Sequence, residues 1–144
     1  MNLKHFLKPT TISNSASATL LLLRLIVGVA FIYHGWGKIQ NPFAWIPAPT
    51  PVPGLLQFLG AFSEFGGGIA LIIGFLTPIA SLGLAFTMAV ATYFHAIVMK
   101  DPFVNMTGGP SFEPALGYLG IAILFFTLGP GKFSLDKVLF GKTQ

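Results

Sequence analysis

Four apolar segments constrain the fold of this chain more than any other feature of its sequence. They run from about 19 to 38, 55 to 74, 77 to 99 and 114 to 129. A helix needs about 20 residues to cross a hydrocarbon core of about 30 Å. The first three segments have that length, and the fourth reaches it only if it begins near Ser111. The pattern predicts an all-α fold, a four-transmembrane-helix bundle in up-down-up-down order.

The composition supports a membrane protein and excludes several other classes. Of the 144 residues, 53% are hydrophobic and 8% are charged, whereas a soluble domain carries about 25% charged residues. So few charges cannot cover a soluble globule, and the basic residues that exist lie mostly in the tails. We therefore expect the lipid bilayer and no nucleic acid as a partner. The chain has no cysteine, which excludes disulfides and thiol chemistry.

The distribution of lysines predicts the orientation. An even number of spans places both tails on one side, and cytoplasmic segments concentrate positive charge. The tails carry five lysines, against two beside the loops at the other side (Lys4, Lys8, Lys132, Lys137 and Lys142 against Lys38 and Lys100). This predicts a multi-pass cell-membrane protein with both termini cytoplasmic. Its parts are a polar tail at 1–18, the membrane domain at 19–129 and a C-terminal tail at 130–144.

Two connections carry local signals. Thr77 and Pro78 follow a short turn and predict a helix start, with Thr77 as the N-cap and Pro78 as the first helical residue. The 41–54 connection holds five prolines (Pro42, Pro47, Pro49, Pro51 and Pro53). Proline lacks the amide hydrogen that a helix uses, so this connection is expected to be an extended, polyproline-like strap.

Six ionisable residues lie in or at the ends of the apolar spans, where each charge costs roughly 3 kcal/mol unless it has a partner; they are Arg24, His34, Lys38, Glu64, His95 and Glu113. Arg24 lies in the first span and Glu64 near the middle of the second. We predict a buried ion pair between them that clamps the two spans. The alternative is that Glu64 exchanges protons or binds a polar ligand in the bundle core.

A second polar group is predicted where the spans meet the outer loops. His34 and Lys38 are four residues apart and share a helix face; His95 ends the third span and Glu113 begins the fourth. These four are the candidate catalytic residues. They could hold a metal, ligate a haem, bind a quinone or only satisfy helix ends. Their spacing matches no recognised metal or haem motif, so we assign no metal site and leave the cofactor open, with a quinone as the candidate.

The ordered motifs resemble the DoxX family of small four-helix integral membrane proteins. They are LLRL at 22–25, FIYHGWGK at 31–38, EFGGG at 64–68, GFLTP at 74–78, His95, and GPGKFSLD at 129–136. The resemblance implies a membrane subunit of the kind associated with sulfur and terminal-oxidase chemistry, including a thiosulfate:quinone oxidoreductase. It also places Arg24, His34, Lys38, Glu64 and His95 on the family's characteristic polar positions.

Two functions follow as hypotheses. In the first, the chain is the small membrane subunit or partner of a quinone-linked oxidoreductase, so that any enzyme activity requires a protein partner. In the second, it is a non-catalytic scaffold or assembly module, and its glycine-rich helix faces pack against other spans or a second copy of the chain. A channel is a third and weaker reading, because four spans in one chain are few for a pathway.

Overall fold

The computed structural model describes residues 12–47 and 52–141. All regular structure in these ranges is helical, and there is no strand among the described residues. The helices are α1 Asn14–Gln40, α2 Gly54–Ile73, α3 Thr77–Tyr93, α4 Glu113–Leu128 and α5 Leu135–Phe140. A π-helical turn, Phe94–Val98, continues α3.

Three of these helices are long and apolar enough to cross a membrane: α1, α2, and α3 together with its π-helical turn. The apolar helix α4 has 16 residues, which gives it a length of about 24 Å. Helix α1 begins five residues before the predicted span, at Asn14, because Ser13 caps it. The Ser13 hydroxyl oxygen accepts a hydrogen bond from the Ala16 amide at 3.1 Å.

Consecutive helices pack against each other, α1 on α2, α2 on α3 and α3 on α4. Their buried side chains form one apolar core (Leu20, Val27, Phe31, Leu71, Leu84, Met88, Ala122 and Phe125). Helices α1 and α2 come closest, since a Cβ added to Gly68 would lie 2.7 Å from the Gly28 carbonyl oxygen. The glycines allow this approach, and it fixes the register of the two helices.

The bundle has two distinct ends. We call the end with the two long loops, 41–53 and 99–112, the outer end, and the opposite end the inner end. At the inner end, Gly74 takes a left-handed backbone conformation (φ 66°) and terminates α2. Both its amide and that of Phe75 bond back to carbonyls of the last turn of α2.

The predicted N-cap of α3 is wrong. Thr77 is the first helical residue, Leu76 precedes it in a left-handed conformation (φ 47°), and Thr77 makes no side-chain cap. Asp136 supplies the cap from across the bundle. Its two carboxylate oxygens accept the amide hydrogens of Leu76 at 2.7 Å and Thr77 at 2.9 Å.

The segment that follows α4 packs onto the inner end of the bundle. Gly129, Pro130 and Gly131 are buried, as is Ser134, which caps α5 by accepting the Lys137 amide hydrogen. The Lys132 amide donates to the Ser17 hydroxyl at 3.2 Å. Residues 129–136, which lead into α5, therefore connect the start of α1 to the turn between α2 and α3.

At the outer end, Gln57 holds the two described ends of the proline-rich strap. Its side chain accepts the Ile46 amide hydrogen at 2.8 Å and donates to the Val52 carbonyl oxygen at 2.9 Å. The Trp45 indole donates to the Gln57 carbonyl oxygen at 2.8 Å. The middle of the strap, 48–51, lies outside the described residues, as do the tail lysines Lys4, Lys8 and Lys142.

Candidate functional site

The outer half of the bundle contains a cavity of about 370 Å³ between the four long helices and the second outer loop. Its polar lining comes from every one of these elements, namely His34, Lys38, Glu64, His95, Ser111 and Tyr118. Its apolar lining comes from α3, α4 and the loop between them, as Met88, Ala91, Gly109, Pro110, Pro114 and Ala115. The structure thus brings three of the four candidate catalytic residues together, and adds Glu64.

Glu64 forms its ion pair with Lys38. The Lys38 ammonium lies 2.6 Å from both carboxylate oxygens. The Glu64 side chain is 3% exposed and the Lys38 side chain is 27% exposed. The same ammonium lies 4.7 Å from the centre of the Trp45 ring, in a cation–π contact. The pair therefore forms one wall of the cavity, with a buried carboxylate and a cation that reaches toward the outer end.

The predicted pair of Arg24 with Glu64 is wrong, because the register of α1 and α2 separates the two residues. A Cβ on Gly35 would touch the Phe65 backbone, so Glu64 is level with Gly35. Arg24 lies eleven residues earlier on α1, about 16 Å away along the helix axis. No extended side chain closes that distance.

Arg24 instead binds the segment after α4. It donates to the carbonyl oxygens of Pro130 at 2.7 Å and Phe133 at 2.9 Å. It is buried, as is Asp136, the carboxylate that caps α3 nearby. Both residues predicted to be buried charges are therefore buried, but Arg24 holds the inner end together and Glu64 belongs to the cavity.

The two histidines contribute to the cavity in different ways. His34 packs its ring edge-to-face with Tyr118 of α4, with ring centroids 5.9 Å apart. His95 lies on the π-helical turn, and its Nδ1 is 2.7 Å from a carboxylate oxygen of Asp101. One imidazole thus packs edge-to-face against an aromatic ring, while the other forms a histidine–carboxylate pair.

Glu113 is not brought into this cavity. It is exposed at the first turn of α4 and lines a separate, shallower depression with Pro114, Gly117, Tyr118 and Ile121. Within residues 12–47 and 52–141, no three His, Asp or Glu side chains converge in a way that could hold a metal ion.

Sequence reasoning missed three polar residues of the site, Asp101, Ser111 and Tyr118. Asp101 follows His95 by six positions, a spacing that shares no face of an α-helix, and it reaches the ring only because the chain turns back after α3. Tyr118 lies five residues after Glu113, and its phenol is the polar group that α4 actually presents to the cavity. The sequence did contain a signal for Tyr118, because it is a polar residue about one helical turn further into the apolar span than Glu113.

The fold and the site define a class: a multi-pass helical membrane protein with a polar cavity near one end of its bundle. The chain belongs to the DoxX family, whose family model matches residues 19–96, more than half of the chain. Its similarity to YqjF, an inner membrane protein of Escherichia coli, is 34% identity over 83% of this chain and 90% of that protein.

Two further relatives cover similar shares. An uncharacterized protein of Haemophilus influenzae is 30% identical over 85% of this chain and 92% of its own length. CatD of Bacillus subtilis, whose name assigns it provisionally to the oxidoreductases, is 28% identical over 83% of this chain and 86% of its own length. No solved structure matches the chain significantly.

Proposed function

We propose that the chain binds the head group of a membrane quinone in the outer cavity and acts as the small membrane subunit or partner of a quinone-linked oxidoreductase. The observation that carries the proposal is the cavity itself. It joins an ion pair, two imidazoles and a phenol at one end of the helix bundle. Polar and ionisable groups in such a place are expensive and usually functional.

The size and lining of the cavity suit a single ring with polar substituents. Small-molecule pockets measure about 300–1,000 Å³, so a cavity of about 370 Å³ fits a head group but no long tail. Met88, Ala91, Pro110 and Pro114 offer apolar contact to the ring, while Lys38 offers a hydrogen-bond donor to a ring oxygen. An isoprenoid tail would then lie in the lipid along the outside of the helices.

The residues of the cavity suit proton transfer, whereas electron transfer requires a partner protein. Reduction of a quinone takes up two electrons and two protons, and oxidation of the quinol releases them. Imidazole is the side chain that most often accepts and donates protons in such reactions, and His34 and His95 both line the cavity. The chain has no cysteine for thiol or cysteine-ligated cluster chemistry, so we assign the electrons to a partner oxidoreductase. The name of the Bacillus subtilis relative supports a role beside an oxidoreductase.

We further propose that all four long helices span the bilayer with both termini cytoplasmic, so that the cavity faces the opposite side. The boundaries stay as predicted, with cytoplasmic tails at 1–18 and 130–144 around a membrane domain at 19–129. Helix α4 is short by about 6 Å for a hydrocarbon core of about 30 Å, and local thinning of the bilayer accommodates such a mismatch. Cysteine-accessibility labelling of single cysteines at Thr107 and Lys137 tests this orientation.

The central experiment asks whether the purified protein holds a quinone in the cavity. The protein is extracted from native membranes in mild detergent, bound quinones are measured by mass spectrometry, and an azidoquinone is photo-crosslinked. We expect retained quinone and labelled peptides from the cavity wall. His34→Ala should weaken binding of the quinone, and His95→Ala binding of its quinol, about tenfold, the equivalent of one hydrogen bond to a charged or proton-sharing group.

The matched control is Tyr33→Ala, which removes a ring from the neighbouring position of α1 that is 80% exposed. It should leave quinone binding unchanged. Labels spread over the lipid-facing surface, no retained quinone and silent histidine variants would refute the proposal. A stoichiometric partner without redox chemistry would then favour the scaffold.

A further inference from the structure

We infer that Asp101 is a positioning residue that fixes the tautomer of His95, so that the cavity presents a hydrogen-bond acceptor and favours the hydroxyl-bearing, reduced form of its ligand. The ligand part of this inference rests on the proposed function. The geometric part rests on His95, Asp101 and the backbone between them.

The backbone from 94 to 101 is unusual in two ways, and both bring Asp101 to His95. Helix α3 changes to a π-helical turn over Phe94–Val98, a rare conformation that is frequent at functional sites. Lys100 then takes a left-handed conformation with φ 58°, which residues with a Cβ seldom adopt. The Asp101 amide closes the turn by donating to the His95 carbonyl oxygen at 2.9 Å.

The side chains complete the arrangement. Asp101 approaches Nδ1 of the His95 ring at 2.7 Å. His95 lines the cavity, whereas Asp101 does not line it and keeps 16% of its side chain exposed. The carboxylate therefore holds the Nδ1 side of the imidazole, and Nε2 is the ring nitrogen that remains for a ligand.

The carboxylate sets the hydrogen-bonding role of Nε2. An ionised carboxylate only accepts hydrogen bonds, so Nδ1 must carry the hydrogen. In the neutral ring Nε2 then has a lone pair and accepts. This nitrogen is complementary to the O–H of a hydroquinone and not to the carbonyl oxygen of the oxidised ring.

The opposite wall is complementary to the second ring oxygen. Each carboxylate oxygen of Glu64 accepts one hydrogen bond from Lys38, so the ammonium is held beside the cavity. An ammonium has three hydrogens, and two of those on Lys38 are used in these bonds. The third can be donated to the second oxygen of a hydroquinone.

The geometry also allows a proton transfer from the ligand to His95. When a ligand O–H bond breaks, its proton forms an N–H bond at Nε2, and the ligand oxygen keeps the electron pair as an anion. The imidazolium then lies beside the Asp101 carboxylate, which balances its charge. This transfer needs no electron donor or acceptor.

The test is nitrogen NMR of the full chain in lipid nanodiscs with ¹⁵N-labelled histidine. The chain has three histidines, which His34→Gln and His95→Gln assign. We expect His95 to be protonated at Nδ1 and bare at Nε2. Asp101→Asn should convert it to the Nε2-protonated tautomer, and Asp101→Glu should restore the original one. The wild-type spectrum alone decides the tautomer if a variant fails to fold.

The same samples are titrated with short-chain ubiquinol-1 and ubiquinone-1. The quinol should shift the Nε2 signal and bind more tightly than the quinone. Asp101→Asn should weaken quinol binding about tenfold and leave quinone binding unchanged or tighter, because Nε2–H then donates to a carbonyl oxygen.

Three results have distinct meanings. A wild-type His95 protonated at Nε2 overturns the inference whether or not quinones bind. Equal binding of both ligands, with equal effects of Asp101→Asn, also overturns it. If neither ligand binds while the Nδ1 tautomer is found, the quinone function fails and the positioning role of Asp101 stands.

Discussion

Removing the cation from the Lys38–Glu64 pair should destabilise the bundle more than removing the anion. The asymmetry comes from burial, since the Glu64 side chain is 3% exposed and that of Lys38 is 27% exposed. Lys38→Met leaves an uncompensated carboxylate in the bundle, which costs about 3–5 kcal/mol. Glu64→Gln leaves an ammonium that can extend to the outer end, and it should cost only about 1–2 kcal/mol.

The double variant makes the prediction sharper. With Glu64→Gln already present, Lys38→Met no longer strands a charge, so the double variant should resemble Glu64→Gln alone. The difference from additivity should be about 3–5 kcal/mol, the full cost of Lys38→Met alone. The free energy of unfolding is measured in mixed micelles by titrating sodium dodecyl sulfate and following helicity.

The matched control is Lys137→Met, which makes the same change at an exposed position of α5 and should alter the unfolding free energy by less than about 0.5 kcal/mol. Equal losses for the two single variants, or strict additivity in the double variant, would refute the argument that Glu64 depends on Lys38 for its charge compensation.

Three further predictions concern the inner end and the helix contacts. Asp136→Asn removes one of two charged acceptors for backbone amides and should cost about 2 kcal/mol in the same unfolding assay, whereas Glu113→Gln, at an exposed carboxylate, should be neutral. Arg24→Ala should abolish accumulation in membranes, measured by immunoblot, because it strands buried carbonyl oxygens and the Asp136 charge; normal accumulation would contradict this. Gly68→Ala should lower the thermal midpoint by several degrees because its Cβ would meet α1 at 2.7 Å, while Gly117→Ala, with open space at its Cβ, should not lower it.

Most of the helical framework could be predicted because it depends on local properties of the chain. Runs of apolar residues long enough to span a membrane define the helices, and glycine and proline mark where they stop. The ends of α2, and of α3 together with its π-helical turn, fall within one residue of the predicted bounds. His34, Lys38 and His95 line one cavity because each lies near the outer end of its helix. The family also follows from short ordered motifs that are visible in the chain itself.

Tertiary structure alone decided the partners of the charged residues. Arg24 and Glu64 are both buried, as the sequence indicates, but the close contact of Gly35 with the Phe65 backbone reflects a register that separates them by about 16 Å. Depth estimated from the ends of a span cannot detect a shift of a few residues between two helices, and such a shift changes every pairing.

The sequence by itself therefore determined the membrane class, the helices, the family and the end of the bundle where polar groups gather. The tertiary structure decided that Glu64 belongs to the cavity with Lys38, that Arg24 holds the segment after α4, and that Asp101 reaches His95. The physical reason is the range of the interactions. The length of an apolar run and the residues that end a helix act over neighbouring positions in the chain. Ion pairs and carboxylate–imidazole contacts instead depend on where side chains lie in space, and a change of helix register or a single π-helical turn moves those side chains by several ångströms.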